Sequence, residues 1–281
     1  MKKIINKLVM LFTVALAVSI CMSSCYKKFD PATYAPALSI GGYTSSAEIS
    51  PSNLVGYWSF DDNLLDSVTN TAGINAGTTF QNGIKGKALL TGDKGYVLFN
   101  PGAAITGMKS FTIAYWVNAP VNSSGIAGTV NFSNKDNFWG NLDMFFENGS
   151  TASAATFKIH IVNNGGSPDH WLVKDGLPGI FGNWVHFAVS FDGVKTFKFY
   201  VNGSLVKSED DAGFGTLNFV NSGQMVFGTV QFMTDPSLTS SHGAEGWASY
   251  LKGGLDEVRI YNTALIDTDV NALVKLEGRG K

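Results

Sequence analysis

The segment 137–147 (Asn-Phe-Trp-Gly-Asn-Leu-Asp-Met-Phe-Phe-Glu) combines an indole, two amides and two carboxylates. The carboxylates, Asp143 and Glu147, are of the type that hydrolyses glycosidic bonds as acid and base or as nucleophile. Four residues along an extended strand span about 13 Å, whereas the carboxylates of such enzymes stand about 5.5 Å or about 6.5–9.5 Å apart. The spacing therefore disfavours catalysis, and we predict no catalytic residue.

Four histidines, His160, His170, His186 and His242, are the other side chains suited to proton transfer near neutral pH. They lack the spacing of metal ligands, and the sequence contains no nucleophile elbow and no phosphate-binding loop. His186 lies within a strand pattern, which indicates a structural role. We assign no catalytic role to these residues, and lyase chemistry through His160 or His170 stays an alternative beside glycoside hydrolysis.

The six tryptophans fall into two groups by their sequence neighbours. Trp58, Trp116 and Trp184 lie inside alternating apolar segments, which is typical of packing residues. The other three lie beside glycine, amide, carboxylate or histidine. Such surroundings suit a sugar, because its C–H face stacks on an indole while its hydroxyls form hydrogen bonds. The ligand-binding residues predicted on this basis are Trp139, Asn141, Asp143, Asn163, Asn164, Asp169, Trp171 and Trp247.

Trp247 belongs to a long stretch, residues 232–251, whose composition predicts a loop. Loops of that length without obvious elements often carry function. For Trp139, Trp171 and Trp247 alike, the alternative that the indole only closes an end of the fold stays open.

The first 25 residues have the pattern of a targeting segment. Three lysines precede an apolar stretch over residues 8–20, which is shorter than the roughly 20 residues that a membrane-spanning helix needs. Residues 22–25 (Met-Ser-Ser-Cys) follow and resemble the lipobox of a bacterial lipoprotein signal. The resemblance implies that residues 1–24 are removed, that Cys25 is lipidated, and that the protein is an outer-membrane lipoprotein on the cell surface or the periplasmic face. An ordinary secretory signal is the alternative.

Removal of residues 1–24 would take three of the 20 basic residues and leave 17 against 22 acidic ones, a net charge of −5. This charge argues against a nucleic-acid partner. Cys21 would be removed as well, so we predict no intramolecular disulfide. After the lipidated cysteine, the segment up to residue 52 is rich in Pro, Ser, Thr, Ala and Gly and predicts a flexible tether to the membrane.

The rest of the chain has the composition of an all-β domain. The sequence is 44% hydrophobic and only 15% charged, with 32 glycines in 281 residues, which suits many short apolar strands joined by turns. From residue 53 onward, short runs of alternating apolar residues are bounded by Gly, Asn and Asp, which predicts one domain over 53–281. The clearest predicted strands are 54–60, 95–100, 111–118, 156–162, 184–191, 196–201, 224–228 and 255–261.

Three local patterns specify parts of this domain. In the strand 184–191, one face carries Val185, Phe187, Val189 and Phe191, and we assign that face to the core. Asn202-Gly203 predicts a type I′ hairpin turn, because both of its central positions need positive φ. A single convincing helix is predicted over 267–276, with a cap at Asp267 or Thr268.

Several segments occur in a characteristic order: 56–62 (Gly-Tyr-Trp-Ser-Phe-Asp-Asp), 83–89, 110–117, 184–193, 199–203 and 254–261 (Gly-Leu-Asp-Glu-Val-Arg-Ile-Tyr). Their order and spacing resemble the laminin-G-like, or concanavalin A-like, lectin and glucanase domains of bacterial surface proteins, including lipoproteins of Bacteroidetes. The resemblance implies a two-sheet antiparallel jelly-roll sandwich, here with one short C-terminal helix. It also implies a carbohydrate-binding or adhesive function and, in many members, a structural calcium ion.

The glucanases of this family carry approximately Glu-x-Asp-x-x-Glu on one strand. In this chain Asn141 stands at the first glutamate position, Asp143 matches the aspartate, and Glu147 comes one residue late. The nucleophile is therefore missing, which agrees with the unfavourable spacing of the carboxylates.

A calcium site is predicted where the family brings an N-terminal and a C-terminal acidic segment together. Calcium takes about six to eight oxygen ligands, and backbone carbonyls complete the set around two or three acids. Asp256 also has a structural alternative, as an acceptor of backbone hydrogen bonds at the start of the last strand. The candidate ligands for a structural Ca²⁺ are Asp62, Asp66 and Asp256, with Asp61 beside them.

The sequence as a whole predicts a lipid-anchored carbohydrate-binding module of the cell envelope without catalytic activity. Its partner would be a glycan or polysaccharide. The alternative is a protein-interaction or adhesion module of a surface assembly for glycan uptake, and the third hypothesis is a glycoside hydrolase.

Overall fold

The computed structural model describes residues 2–7, 10, 39–149 and 151–281. Residues 2–7 and Met10 are helical, and Ile40–Lys281 form a separate compact unit. Cys25, the predicted lipidation site, lies outside the described residues. Among those that are described, no helix combines the length and apolar character needed to cross a membrane.

Ile40–Lys281 is built from two large antiparallel sheets and a two-stranded ribbon. The strands are β1 Leu54–Trp58, β2 Leu65–Asp66, β3 Thr71–Ala72, β4 Ile74–Ala76, β5 Thr79–Asn82, β6 Lys87–Leu90, β7 Tyr96–Phe99, β8 Phe111–Asn118, β9 Ile126–Gly128, β10 Val130–Asn134, β11 Leu142–Phe146, β12 Ala155–Val162, β13 Asp169–Leu177, β14 Val185–Phe191, β15 Thr196–Val201, β16 Ser204–Asp210, β17 Ser222–Phe227, β18 Ala248–Ser249 and β19 Gly254–Tyr261. The helices are α1 Ala103–Thr106 and α2 Asp267–Glu277, and short 3₁₀ turns occupy Ser46–Glu48, Pro51–Asn53 and Gln231–Met233.

The eight-stranded sheet has the order β16-β15-β14-β8-β19-β6-β5, with β1 also paired to β19. The nine-stranded sheet has the order β13-β12-β11-β10-β17-β7-β4. In the latter, β9 pairs with β11 and, in parallel, with β18. The strands β2 and β3 form the separate ribbon. This arrangement confirms the predicted all-β jelly-roll sandwich.

Local sequence patterns located several elements accurately. The strands β8 and β15 have the predicted bounds, and the other predicted strands differ by one or two residues at an end. At the hairpin between β15 and β16, Asn202 has φ 49° and Gly203 has φ 74°, as a type I′ turn requires. The hairpin and the helix α2 are both confirmed.

The core lies between the two sheets and confirms the predicted inner face of β14. Val185, Phe187, Val189 and Phe191 are all buried in it. The opposite face of the same sheet is covered as well, because Ala188 of β14 and Tyr200 of β15 pack with Leu273 of α2. The eight-stranded sheet is therefore buried on both faces, and the nine-stranded sheet supplies the outer face on which the candidate site lies.

The predicted side-chain cap of α2 is wrong. The N-cap is Ile266, and no described side chain caps that end of the helix. Asp267 instead accepts hydrogen bonds from Lys198 Nζ at 2.8 Å and from Tyr200 Oη at 2.7 Å, through Oδ1. The carboxylate is thus used to attach the helix to β15 rather than to cap it.

Residues 40–52 belong to the folded unit, although the sequence predicted them as part of the tether. Tyr43 Oη donates to Asp269 Oδ1 of α2 at 3.0 Å, and Ser46 Oγ donates to the Lys281 carbonyl at 2.8 Å. Ile49 is buried against α2. The compact unit therefore begins at Ile40 rather than at residue 53.

Candidate functional site

The outer face of the nine-stranded sheet carries a row of functional side chains. Asp143 of β11 is the direct cross-strand partner of His160 of β12, which in turn pairs with Trp171 of β13. Their strand neighbours Met144, Ile159 and Leu172 point into the core. Because successive strand residues face opposite sides of a sheet, the row Asp143–His160–Trp171 lies on the side away from the core.

Aromatic side chains from the strands and two loops converge on this row. Trp139 lies parallel to Phe145 at 5.6 Å between ring centroids, and Trp171 stacks on His160 at 3.9 Å. Trp139 stands perpendicular to Trp171 at 5.5 Å and lies 6.1 Å from Trp247. We term this group the aromatic site; its members are Phe138, Trp139, Phe145, His160, Trp171, Phe232 and Trp247.

The aromatic site is partly open to solvent. Trp171 and Trp247 are 37% and 42% exposed, and Trp139 between them is half-buried. A cavity of about 220 Å³ adjoins Trp139, His160 and the carboxylate of Asp169. The three tryptophans predicted to bind ligand, which are up to 108 residues apart in sequence, are thus neighbours on one accessible surface.

His160 and Asp169 form a polar pair at the edge of the cavity. His160 Nε2 lies 2.8 Å from Asp169 Oδ2, while the His160 side chain is buried and that of Asp169 is 46% exposed. Burial lowers the pKa of His160, against the opposing effect of the Asp169 carboxylate. The imidazole is therefore neutral at neutral pH, and with its proton on Nε2 it donates to Asp169.

A buried amide network holds the loop that carries Trp139. Gln231 Nε2 donates to the carbonyls of Asn137 and Phe138 at 2.7 and 2.8 Å, and its Oε1 accepts from Asn134 N at 2.7 Å. Gly140 must be glycine, because a Cβ there would collide with the Phe132 carbonyl oxygen. These contacts hold the loop in place without a ligand, and a preformed site lowers the entropic cost of binding.

Three of the predicted ligand contacts lie beneath this surface instead of on it. Asn141, Asp143 and Asn163 are at most 1% exposed. Asn141 Nδ2 donates to Val220 O and Ser222 Oγ, and Asp143 Oδ2 accepts from Gly140 N at 2.8 Å. We revise their predicted role from direct contact to positioning, because their polar groups bond to the loops.

The remaining predicted contacts are accessible. Asn164 is exposed in the left-handed conformation, and its Oδ1 accepts from Asn218 Nδ2 at 3.1 Å. Asp169 is exposed beside the cavity. Together with Trp139, Trp171 and Trp247 they form the accessible part of the predicted set.

Asp143 is a buried carboxyl group whose ionisation is suppressed. Its Oδ1 has no hydrogen-bond partner in the described structure, and burial raises its pKa to about 8. In the unfolded chain an aspartate ionises near pH ~3.9. Between these values the native state holds one more proton than the unfolded state, so the free energy of unfolding falls as pH rises, by up to about 1.4 kcal/mol per pH unit.

We therefore expect Asp143→Asn to flatten the loss of stability between about pH 5 and about pH 7, since asparagine keeps an acceptor for Gly140 N–H and cannot ionise. Urea denaturation across this range measures the slope. Burial also raises the pKa of Asp256 to about 8, but this residue contributes the same pH dependence to the parent and to the variant. Replacement of the exposed Asp175 by asparagine is the control. If the free energy of unfolding depends on pH with the same slope in Asp143→Asn and in the parent, the raised pKa of Asp143 is contradicted.

The carboxylates tested for catalysis do not form an accessible pair. Asp143 is fully buried, and Glu147 forms an ion pair with Lys158 Nζ at 2.5 Å.

Sequence reasoning missed His160, Phe138, Phe145 and Phe232 as parts of the site. The alternation of Lys158, His160 and Val162 with core residues of β12 was a signal that His160 faces outward. Phe138 and Phe232 gave no such signal, because they lie outside the strands, where packing depends on residues distant in sequence.

The candidate calcium ligands are largely engaged in turns. Asp256 accepts three backbone hydrogen bonds: Oδ2 accepts from Ile84 N and Lys85 N, and Oδ1 accepts from Glu257 N. Asp66 Oδ1 accepts from Tyr57 N and Val68 N. Asp62 is exposed, with φ 54°. The described residues form no group of three or more His, Cys, Asp or Glu side chains suited to a metal, so calcium stays a prediction that needs other oxygen ligands.

A larger cavity of about 620 Å³ lies elsewhere, beside the start of α2. The described residues lining it include no aromatic side chain, and an ion pair of 2.8 Å between Lys198 and Asp267 occupies its wall. A sugar ring would find no stacking surface there, so we regard the smaller, aromatic cavity as the candidate site.

Comparison with known proteins gives a family match and several similar folds. The family model described as Concanavalin A-like lectin/glucanases superfamily matches residues 91–271. No curated protein sequence matches the chain. A similar solved structure is domain 4 of AbnA, a GH43 extracellular arabinanase from Geobacillus stearothermophilus, in complex with arabinotriose; its TM-score is 0.55 at 21% identity, over 79% of this chain and 98% of that one.

Two toxin structures are similar in fold as well. The binding domain of Paraclostridial Mosquitocidal Protein 1 has a TM-score of 0.60 at 17% identity, over 79% of this chain and 52% of that one. The botulinum neurotoxin serotype D ligand-binding domain, in complex with N-acetylneuraminic acid, has a TM-score of 0.58 at 12% identity, over 82% of this chain and 52% of that one. The chain thus spans about half of each toxin structure, and the likeness concerns the fold alone.

Proposed function

We propose that this chain, which belongs to the concanavalin A-like lectin/glucanase superfamily, is a non-catalytic carbohydrate-binding module that holds its ligand on the aromatic site. One observation carries the proposal: Trp171 and Trp247 lie against Trp139, which lines a cavity beside an accessible carboxylate, Asp169. Indole faces stack on sugar C–H groups, and the carboxylate accepts hydrogen bonds from hydroxyls.

Binding without catalysis is the function that this geometry supports best. Glycoside hydrolysis needs two carboxyl groups that flank the scissile bond, whereas Asp169 is the sole carboxylate among the described residues lining the cavity. Asp143 is covered and tied to Gly140. The similar structures include the binding domain of a toxin and an arabinanase domain in complex with arabinotriose.

The test is a binding screen of the folded chain from residue 26 onward against an array of glycans and polysaccharides. The affinity of each glycan that binds is then measured by calorimetry. We expect saturable binding that free oligosaccharide reverses. The screen is run once with calcium and once with a chelator, so that loss of binding or of thermal stability with chelator would support a Ca²⁺ site at Asp62 and Asp256. Absence of glycan binding by a cooperatively melting protein would contradict the proposal and favour a protein-interaction module.

We further propose that Cys25 is the lipid-attachment site and that the module is displayed from the outer membrane, alone or within a surface glycan-uptake assembly. The sequence supports this through the three N-terminal lysines, the apolar stretch 8–20 and the lipobox-like residues 22–25. A lipid anchor would keep the glycan-binding domain, with any polysaccharide bound to it, at the membrane.

Cys25→Ala is expected to abolish incorporation of radiolabelled fatty acid and to move the protein from the membrane fraction to the soluble fraction. The measurement is metabolic labelling in a Gram-negative host, followed by fractionation. Cys21→Ala, four residues earlier, is the matched control and should be labelled normally. Labelling of the Cys25 variant at the parent level would contradict the assignment.

A further inference from the structure

We infer that the aromatic site selects an amino sugar with a free, protonated amine over N-acetylated and acidic sugars. The inference rests on the proposed function and adds the chemical class of its ligand. It depends on three features of the described residues: the charge lining the cavity, the state of the Asp169 carboxylate, and the orientation of the rings.

The cavity is lined by negative and neutral groups. Of the described residues that line it, Asp169 carries a formal charge, and none is lysine or arginine. At the rim, His242 lies against Phe138 at 4.5 Å between ring centroids, and its Nε2 is 3.9 Å from Glu245 Oε1. A carboxylate on a bound sugar would therefore meet Asp169 without an opposing cation, whereas an ammonium group would be attracted.

The charge of Asp169 is available to a ligand. Its Oδ2 bonds to His160, and within the described residues its Oδ1 accepts no hydrogen bond. His160 orients the carboxylate, and burial lowers the pKa of His160, which disfavours a positive charge on the imidazole beside Asp169. An ammonium group donates up to three hydrogen bonds and accepts none, which suits a free carboxylate oxygen.

The rings around the cavity favour a cation as well. Phe138 stands perpendicular to Trp139 at 5.1 Å, and Trp139 stands perpendicular to Trp171 at 5.5 Å. Aromatic faces carry negative electrostatic potential and attract a cation within about 6 Å of the ring centroid, with indole the strongest. N-acetylation removes this attraction, because it converts the ammonium group into a neutral amide.

The experiment compares three trisaccharides by calorimetry in low-salt buffer at about pH 6, below the pKa of the sugar amine. They are the β-1,4-linked glucosamine trimer, its N-acetylated counterpart and trigalacturonate. We expect the amine to bind about tenfold more tightly than the N-acetylated trimer, and trigalacturonate to bind more weakly than either. Added salt should reduce the preference for the amine, because it screens exposed charges.

Asp169→Asn should cut the preference to about twofold, because the affinity for the amine falls further than the affinity for the N-acetylated trimer. Asp175→Asn, an exposed carboxylate further along β13, is the matched control and should keep the tenfold preference. Equal or tighter binding of the N-acetylated trimer by the parent protein would overturn this inference and leave the proposed function intact. Failure of all three trisaccharides and of the glycan screen would instead overturn the proposed function.

Discussion

Replacing Arg259 with alanine should lower the free energy of unfolding by about 3–5 kcal/mol. The guanidinium is buried between two buried carboxylates: Nη2 lies 2.8 Å from Glu257 Oε2, and Nε lies 2.7 Å from Glu277 Oε1. Among the described residues, removal of Arg259 would leave the buried Glu277 without a lysine or arginine partner, and would leave Glu257 with Lys85 alone, whose Nζ lies 3.6 Å from Glu257 Oε2. This uncompensated charge is the source of the expected loss.

The surrounding contacts show why the site cannot simply relax. Trp116 Nε1 donates to Glu277 Oε2 at 2.8 Å, and Tyr57 Oη donates to Glu257 at 2.9 Å. The Arg259 guanidinium also lies over the Tyr57 ring, 3.9 Å from its centroid. Glu277 is the last residue of α2, so the network attaches this helix to the outer face of the eight-stranded sheet.

Urea denaturation of the parent and the variant at neutral pH measures the effect. Arg279→Ala is the matched control, because Arg279 is exposed and its side chain donates to the Lys275 carbonyl rather than to a carboxylate. It should change stability by less than about 0.5 kcal/mol. A loss below about 1 kcal/mol in Arg259→Ala would show that the two glutamates find other partners or become protonated at little cost.

The second large effect concerns ligand binding. Trp139→Ala is expected to weaken glycan affinity by about 30-fold or more, because Trp139 is the central ring of the aromatic site. It contacts Phe145, Trp171 and Trp247 at once. The loop itself should persist, since Gln231 holds it through the backbone carbonyls of Asn137 and Phe138.

Calorimetry with the tightest ligand from the glycan screen measures this loss, and a thermal melt shows whether the variant is folded. Trp184→Ala is the matched control, since Trp184 is another half-buried indole and lies against Gly254 of the eight-stranded sheet. Trp184→Ala should lower the free energy of unfolding and leave the affinity for the glycan unchanged. An affinity within twofold of the parent in a folded Trp139→Ala protein would remove Trp139 from the binding site.

The architecture of this protein could be predicted from its sequence because strand patterns are local. Alternation with a period of two is present within each strand, so the inner face of β14 could be assigned from Val185, Phe187 and Val189 alone. The Asn202-Gly203 turn was equally local, since its backbone conformation depends on the residue types at two positions. The family resemblance then supplied the two-sheet arrangement into which such strands assemble.

The boundaries of the domain were harder to predict, because they depend on contacts between residues distant in sequence. The segment 40–52 has no periodicity, and it is ordered by contacts with α2 and the chain's last residue. Asp267 has a cap-forming side chain, yet Lys198 and Tyr200 of a neighbouring strand bind it instead. In both cases a partner distant in sequence overrides the local preference.

For the site, the sequence by itself determined which side chains are chemically suited to a sugar, and it singled out Trp139, Trp171 and Trp247 from the six tryptophans. Only the tertiary structure decided that these three meet, that His160 joins them, and that Asn141 and Asp143 lie underneath. The physical reason is that residue type sets what a side chain can bond to, whereas its exposure depends on the strands and loops that pack around it.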